Sequence, residues 1–168
     1  MPLTDLTKKG NPNTVQWSES AERAFNTLKQ LLSGEPILKL PNMSKRFFLQ
    51  TDASDKAIGA VLLQEYDGKL MPVAYASQKL HQREVKYSVM EKECLALVWA
   101  VKHFHLYLYG QEFTLQTDHE PLVYLNKCKI SNNRILRWAL SLQPYSIYIQ
   151  AIKGIDNVGA DYMSRMEN

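Results

Sequence analysis

The sequence predicts an α/β fold in which a five-stranded mixed sheet carries helices on both faces. Three strand-like segments follow one another over short connections, which is typical of an antiparallel meander. Helical and strand-like segments then alternate, which is typical of strands joined by helical crossovers. Hydrophobic residues make up 45% and charged residues 22% of the 168 residues, as in one ordinary globular domain with a short extension.

The predicted meander depends on a tight turn between its second and third strands. Its strands are predicted at residues 46–54, 57–66 and 69–78. Asp67 and Gly68 separate the last two, and Asp-Gly between apolar runs favours a two-residue hairpin. The connection at 53–56 is short enough for the first two strands to be antiparallel neighbours as well.

An N-terminal extension is predicted to precede the sheet. Residues 1–17 show no regular pattern, whereas helical spacing begins after the capping residue Ser18 and ends at Gly34. We therefore expect two parts. Residues 1–45 form a connecting segment with one helix, and residues 46–168 form the sheet domain.

The second half of the chain predicts a long helix followed by alternating elements. Ser88 and Glu91 form a capping box, and the helix is expected to run to Tyr109, with Gly110 as its stop. Further strands are predicted at 111–118 and 145–152, and helices at 120–127, 131–142 and from Asp156 or Asn157 onward. Ser131 is the expected cap of the helix at 131–142.

Charge and cysteine content narrow the classes of function only a little. The formal net charge of +3 and pI of about 8.8 permit a polyanionic partner without requiring one. No apolar run reaches about 18 residues, so no membrane partner is expected. The segment MPLTDLTKKG lacks the apolar core of a secretory signal. Cys94 and Cys128 do not make a disulfide framework, which favours a reducing compartment.

The tetrapeptide LQTD occurs twice, and each copy closes a predicted strand. Its aspartates are Asp52 and Asp118. Asp is a poor strand residue, so two such endings suggest that both carboxylates are delivered to one place. The hairpin and helix between the copies can return the fourth strand beside the first, which would bring the two acids together.

Two further acids are candidates for the same place. On a helical wheel, Glu93 lies at the edge of the apolar stripe of the long helix, where a carboxylate is costly without a partner such as a metal ion. Glu91 lies nearly opposite and is assigned to the cap and the solvent. Asp161 falls in the first turns of the last helix, where a favourable interaction with the helix dipole is the alternative explanation.

The four acids together would make a metal site that contains only oxygen ligands. Such ligands suit Mg²⁺ or Mn²⁺. Two ions roughly 3.5–4 Å apart would clamp the attacking water and the leaving oxygen of a phosphodiester. The alternative is that the four acids serve separate structural roles, and their spacing alone leaves both interpretations open.

Longer motifs resemble a known family over almost the whole chain. They are PLTDLTKKG, VQWSESAERAFNTLK, EPILKLP, FFLQTDASDKAIGAVLLQ, PVAYASQKL, YSVMEKECLALVWAVKHFHLYLYG, FTLQTDHEPLVYL, RILRWALSLQPYSIYI and NVGADYMSR. In type and order they resemble the ribonuclease H domain, with its preceding connection segment, of reverse transcriptases from gypsy-type LTR retrotransposons and retroviral elements. The resemblance implies a ribonuclease H-like fold.

The resemblance also implies a nuclease that uses two Mg²⁺ or Mn²⁺ ions to cut the RNA strand of RNA–DNA hybrids. It places the family's catalytic and metal-binding carboxylates on Asp52, Glu93, Asp118 and Asp161. The implied partners are the hybrid and the polymerase domain of the same polyprotein, and the implied location is a cytoplasmic virus-like particle. No Tyr-x-Asp-Asp motif occurs, so the chain alone is not expected to synthesise DNA.

The closing motif departs from the family pattern near Asp161. Tyr162 and Met163 replace the usual Ala-Leu, and Lys153 stands where proline is common. The positioning of Asp161 is therefore the weakest part of the predicted site. Residues 150–160 contain no histidine, as is usual in the gypsy-type group, so modest turnover is expected.

Six more residues are candidates for substrate contacts. They are Ser54, His119, Asn126, Arg134, Asn157 and Arg165. Ser54 and Asn126 would contact RNA 2′-hydroxyls, and the two arginines would contact phosphates. The structural alternatives are a helix start for His119, an amphipathic helix for Arg134 and a helix cap for Asn157.

A catalytically silent module of the same fold is the alternative function. Such a module would bind nucleic acid or a protein partner. Four converging acids argue against it, because binding alone does not need them.

Overall fold

The computed structural model describes residues 2–6, 8, 10, 12, 14–33, 38–118 and 132–165. The chain forms two compact units, one within residues up to 37 and the other comprising Leu38–Arg165. The first unit contains helices α1 (Pro2–Asp5) and α2 (Glu19–Ser33). The start of α2 agrees with the prediction, because the Ser18 hydroxyl accepts a hydrogen bond from the Ala21 backbone N–H at 3.2 Å. Helix α1 was not predicted, since a single turn is too short to show a periodic pattern.

The second unit is built on the five-stranded mixed sheet that the sequence predicts. Its strands are β1 (Phe47–Ala53), β2 (Ala57–Tyr66), β3 (Lys69–Lys79), β4 (Glu112–Thr117) and β5 (Ser146–Ala151). Across the sheet their order is β3-β2-β1-β4-β5. The β1–β2 and β2–β3 pairs are antiparallel, whereas β1–β4 and β4–β5 are parallel. The fourth strand therefore returns beside the first, as predicted.

The hairpin between β2 and β3 has the predicted tight turn. Asp67 and Gly68 adopt φ angles of 51° and 74°, both in the left-handed region. Two such residues make the turn whose twist matches that of the flanking strands, which explains the Asp-Gly pair.

Helices cover both faces of the sheet. They are α3 (Val89–His103), α4 (His105–Leu108), α5 (Asn133–Leu142) and α6 (Val158–Arg165), with a 3₁₀ turn at Gly154–Asp156. Successive side chains of β2 point to opposite faces. On one face, Leu62 lies in the main core with Leu97 of α3. On the other face, Val61 and Leu63 pack with Ala160 of α6. This arrangement confirms the predicted fold class.

The long helix is interrupted, so the prediction of one continuous helix to Tyr109 is wrong. Phe104 adopts φ −94° and ψ 20°, between α3 and α4. Its carbonyl accepts the backbone N–H groups of both Tyr107 (2.9 Å) and Leu108 (3.2 Å). The surrounding run HFHLYLY is rich in aromatic residues, whose helix propensity is low, and the helix tightens within it.

The cap of α5 is Asn132 rather than the predicted Ser131. The Asn132 side-chain oxygen accepts the backbone N–H groups of Arg134 (2.9 Å) and Ile135 (3.4 Å). Asn and Ser are comparable capping residues, so helical spacing does not separate adjacent candidates. Ser131 and the predicted helix at 120–127 lie outside the described residues. In the described part of the chain, no helix combines the length and the apolar content needed to cross a membrane.

A short segment before β1 belongs to the sheet unit. Gln64 of β2 is fully buried, and its amide nitrogen donates to the carbonyls of Asn42 (2.7 Å) and Lys45 (3.1 Å). The Lys39 backbone N–H donates to the Pro72 carbonyl at 2.8 Å. The unit that contains the sheet therefore includes residues that the sequence analysis assigns to the connecting segment.

Candidate active site

The repeated LQTD motif places two carboxylates at neighbouring strand ends. Strands β1 and β4 are parallel and pair Gln50 with Gln116. Two residues further along each strand come Asp52, the penultimate residue of β1, and Asp118, which directly follows β4. The register of the pair therefore brings both acids to the same edge of the sheet.

The glutamines of the repeat form a ladder that the sequence analysis did not identify. The Gln50 side-chain amide donates to the Gln116 side-chain oxygen at 2.9 Å, and Gln116 donates in the same way to Gln150 at 3.2 Å. The ladder crosses three parallel strands, β1, β4 and β5. Because a slip by one residue would turn these side chains to the other face, the ladder favours the register that aligns the acids.

Glu93 is buried beside these strand ends. Its side chain lies on α3, 6% exposed, and its carboxylate accepts a hydrogen bond from the Ala53 backbone N–H. Its second oxygen, Oε2, is buried and has no hydrogen-bond partner among the described residues. Burial, followed by the charges of Asp52 and Asp118, raises the pKa of Glu93 to about 8. The structure therefore supports the inference that Glu93 is the anomalous acid.

Asp52 is also buried, and it is held by a residue that sequence reasoning missed. The Ser164 hydroxyl donates a hydrogen bond to its Oδ2. Burial raises the pKa of Asp52, the Ser164 hydrogen bond opposes this shift, and the charges of Asp161 and Asp118 add to it. The charges of Asp52, Asp118 and Asp161 thus each raise the pKa of at least one other acid of the set.

Asp161 comes from the first turn of α6, and the docking of this helix on β2 depends on Gly59. A Cβ atom at Gly59 would lie 2.5 Å from the Ala160 carbonyl oxygen and 2.6 Å from the Ser164 nitrogen. Of the two unusual residues beside Asp161, Met163 packs against the apolar side chains of β2, whereas Tyr162 is exposed. These replacements are therefore compatible with a docked helix.

Comparison with known proteins identifies the family. The sequence profile described as "RNase H-like domain found in reverse transcriptase" matches residues 42–145. This chain belongs to the RNase H-like domain family of reverse transcriptases. It is 40% identical over 164 residues to the retrovirus-related Pol polyprotein from transposon 412 of Drosophila melanogaster, covering 98% of this chain and 13% of that polyprotein. The chain thus spans only a small part of the relative that it matches.

Solved structures show the same fold. The foamy viral protease-reverse transcriptase in complex with an RNA/DNA hybrid superimposes with a TM-score of 0.66 at 20% identity, covering 91% of this chain and 21% of that one. RNase H1 from the archaeon Halobacterium salinarum superimposes with a TM-score of 0.57 at 18% identity, covering 70% of this chain and 93% of the archaeal one. These likenesses confirm the RNase H-like fold.

Asn157 of this RNase H-like domain lies inside the site rather than on its surface. It is 0% exposed, and its side-chain nitrogen donates to the Thr51 carbonyl and to Asp118 Oδ1, each at 3.1 Å. Its side-chain oxygen is buried and accepts no hydrogen bond from the described residues. The expected roles of substrate contact and helix cap therefore do not fit Asn157, because a cap must accept a hydrogen bond through that oxygen.

Ser54 and Arg165 are both held by groups of the domain itself. The Ser54 hydroxyl lies 2.7 Å from the Ser164 carbonyl, to which it donates, and it accepts the Ala57 backbone N–H at 3.0 Å. These bonds join the β1–β2 turn to α6, a structural role. Arg165 forms an ion pair with Asp161, one turn earlier. Asp161, then Asp52 and Asp118, raise the pKa of Arg165, so this arginine lies in the negative field of the site.

Arg134 and Glu91 connect α5 to α3. The Arg134 guanidinium lies 2.6 Å from the Glu91 carboxylate and 4.1 Å from the centre of the Tyr87 ring. Glu91 completes the predicted capping box with Ser88. Its side chain is 13% exposed, so Glu91 is only partly open to solvent, whereas its assignment to the cap is confirmed. His119 and Asn126, the remaining substrate candidates, lie outside the described residues.

One buried cation was also missed by sequence reasoning. The Lys92 ammonium lies 2.7 Å from the Asp55 carboxylate, although the Lys92 side chain is 8% exposed. The pair ties the β1–β2 turn, which follows Asp52, to the helix that carries Glu93. A lysine next to a candidate acid was the available signal, but helical spacing alone did not indicate its burial.

The donor chemistry of the RNase H-like domain fits a hard divalent cation. All four acids supply oxygen, and the unbonded buried Oε2 of Glu93 lacks a partner of the kind that a cation provides. Within the described residues, however, no three His, Cys, Asp or Glu side chains are arranged so that they could hold an ion as they stand. Asp52 accepts a hydrogen bond from Ser164, Asp118 accepts one from Asn157, and Asp161 forms an ion pair with Arg165.

Proposed function

We propose that this RNase H-like domain hydrolyses the RNA strand of RNA–DNA hybrids with the help of two divalent cations. The observation that carries the proposal is Glu93, an acid buried beside Asp52 and Asp118 with one oxygen unbonded. Burying a carboxyl oxygen without a partner costs free energy, so such a group is expected where it has a function. A cation would supply the missing partner and offset the repulsion between the carboxylates.

Asp52, Glu93, Asp118 and Asp161 would hold the cations, Mg²⁺ or Mn²⁺. Two such ions supply a nucleophilic water and stabilise the leaving oxygen of a phosphodiester. At neutral pH Glu93 holds a proton, because its pKa is about 8, and it must release that proton to become a ligand. Ser164 and Asn157 orient Asp52 and Asp118 by donating hydrogen bonds to their carboxylates.

Recognition of the hybrid is proposed to depend on backbone shape and charge rather than on base sequence. The similar foamy viral reverse transcriptase was solved with an RNA/DNA hybrid, which supports this class of substrate. Contacts to backbone phosphates release bound counterions, so binding should weaken as salt is raised. The proposed context is a retroelement polyprotein in a cytoplasmic virus-like particle, with the polymerase domain as partner, because the matched relative is a Pol polyprotein.

A non-catalytic binding module is the second candidate function. The observation in its favour is that, in the described residues, three of the four acids are engaged by other side chains and none of the acids forms a metal-holding group. A module of this kind would bind the hybrid without cutting it. Such a module would not explain why Glu93 is buried with one oxygen unbonded among the described residues.

A cleavage assay separates the two candidates. A hybrid with a labelled RNA strand is incubated with the parent chain and either Mg²⁺ or Mn²⁺, alongside duplex DNA. We expect cation-dependent cleavage of the RNA strand only, reduced to background by Asp52→Asn. Asp156→Asn, which changes an exposed acid nearby, should cleave like the parent. Hybrid binding without any cation-dependent cleavage by the parent would favour the binding module and overturn the nuclease proposal.

A further inference from the structure

Asn157 contacts three of the four segments that carry the acids. Its side-chain nitrogen donates to the carbonyl of Thr51, the residue before Asp52, and to the carboxylate of Asp118. Its backbone carbonyl accepts the Asp161 N–H at 3.0 Å. Asp118 and Asp161, and the residue that precedes Asp52, are therefore each one hydrogen bond from Asn157.

The orientation of the Asn157 amide follows from its neighbours. A backbone carbonyl and a carboxylate both accept hydrogen bonds, so the nitrogen must face them and the oxygen must face away. Both amide protons are then used. The Asn157 oxygen, buried and without a hydrogen bond from the described residues, is the consequence of this arrangement.

The turn before Asn157 approaches Asp118 from the other side. A Cβ atom at Gly154 would lie 3.3 Å from Asp118 Oδ2, and the Asn157 N–H donates to the Gly154 carbonyl at 3.1 Å. One carboxylate oxygen of Asp118 is thus bonded by Asn157, while the other lies against Gly154. The segment from Gly154 to Asn157 restricts the Asp118 side chain on both sides.

We infer that Asn157 is a positioning residue that sets the spacing of Asp52, Asp118 and Asp161 for cation binding, an inference that rests on the proposed function. It acts through the acids and touches no substrate, because its side chain is fully buried. Side chains that orient metal ligands typically change metal affinity or activity by about 10–100-fold when they are removed. A substrate contact or a simple helix cap would behave differently in each measurement below.

The first test compares Asn157→Ala with Asn132→Ala, which removes a side chain of the same type. Asn132 caps α5 and donates a hydrogen bond to Glu91, which is not one of the four candidate acids. Mn²⁺ binding is measured by calorimetry on the folded fraction of each variant. We expect Asn157→Ala to bind Mn²⁺ about tenfold or more weakly than the parent, and Asn132→Ala to bind it as the parent does. Equal Mn²⁺ affinities of all three proteins would overturn the inference.

The second test separates a positioning role from a substrate contact. In hybrid cleavage, Asn157→Ala should lower kcat about 10–100-fold and leave KM for the hybrid within about twofold of the parent value. A raised KM at unchanged kcat would show that Asn157 binds substrate and would refute the positioning role.

A third measurement uses the parent chain alone, in case Asn157→Ala fails to fold. The side-chain amide protons of Asn157 should exchange slowly with solvent and change their NMR shifts as Mg²⁺ is added, whereas those of Asn132 should not shift. Fast exchange, or no shift at saturating Mg²⁺, would refute the inference.

If the parent binds no cation at all, the proposed function fails. If the parent binds a cation and Asn157→Ala binds it equally well, only the present inference fails.

Discussion

Glu93 is a buried acid with one oxygen unbonded among the described residues, an environment that does not by itself stabilise the fold. It lies near the start of α3, a helix that buries mostly apolar side chains. Its pKa of about 8 results first from burial and then from two neighbouring acids. An ordinary glutamate pKa is 4.5, so the folded chain retains a proton that the unfolded chain loses. Stability without a cation must therefore decrease as pH rises through this interval.

Glu93→Gln should make the cation-free protein more stable at alkaline pH. Glutamine resembles the protonated acid and cannot ionise, so we expect similar thermal midpoints for parent and variant near pH 5. The variant should gain a growing advantage as pH rises to about 9, beyond the pKa of about 8. Thermal unfolding in a chelating buffer measures this difference.

The control for this prediction is Glu65→Gln, which changes an exposed glutamate of β2. Its difference from the parent should not depend on pH in the same way. A constant difference between the Glu93→Gln protein and the parent from pH 5 to 9 would show that Glu93 is not the buried acid described here.

At the scale of elements, α6 decides whether the acids form one site. The helix supplies Asp161, and its Ser164 bonds Asp52. It approaches β2 so closely that only glycine fits at position 59. A further contact comes from Ser77 of β3, whose hydroxyl donates to the Met163 carbonyl at 2.8 Å. The position of Asp161 therefore depends on backbone-to-backbone packing rather than on side chains alone.

Gly59→Ala should displace α6 and weaken cation binding. The added methyl group would meet backbone atoms of α6, which cannot move independently, so we expect a loss of about 1–3 kcal/mol in unfolding free energy. Urea denaturation measures this loss, and calorimetry measures the expected fall in Mn²⁺ affinity.

Gly154→Ala is the matched control for stability. A Cβ atom there would meet only the Asp118 side chain, at 3.3 Å, which can adjust more easily than backbone. Its loss of stability should be the smaller of the two. An unchanged unfolding free energy in Gly59→Ala would contradict the close approach of α6 to β2.

At the scale of the whole molecule, the sheet unit contains its own core. The main cluster joins β1, β2, β3, β4, α3 and α4, and its buried members all lie between Phe47 and Leu115. The segment from Leu38 to β1 adds hydrogen bonds to β2 and β3. Fully buried Gln64 depends on that segment for its hydrogen-bond partners.

A chain shortened to residues 38–168 should fold cooperatively, whereas one that begins at residue 46 should be less stable. The shorter chain leaves the buried Gln64 amide without Asn42 and Lys45, at a cost of about 1–3 kcal/mol for each unpaired group. Urea denaturation of both chains tests this difference. Equal stability would show that the segment before β1 contributes nothing to the sheet unit.

Features that depend on neighbours along the chain were predictable from local patterns. The strands of the meander, the Asp67-Gly68 turn and the Ser88–Glu91 capping box all follow from local patterns and have the predicted form. The four candidate acids were selected on the same basis. At Phe104 the sequence did not predict the interruption of the long helix, because the low helix propensity of aromatic residues does not fix where a helix breaks. At Asn132 it did not predict the cap, because the neighbouring Ser131 is an equally good capping residue.

The groups that hold the acids come together only when the chain folds. The hydrogen bond from Ser164 to Asp52 joins residues 112 positions apart, and the bond from Asn157 to Thr51 joins residues 106 apart. Such pairs leave no periodic signal in a single sequence, because their contact depends on strand order and on the docking of α6. The sequence therefore predicted which four acids are candidates for the site. Their hydrogen-bond partners and their protonation depend on burial, which exists only after folding.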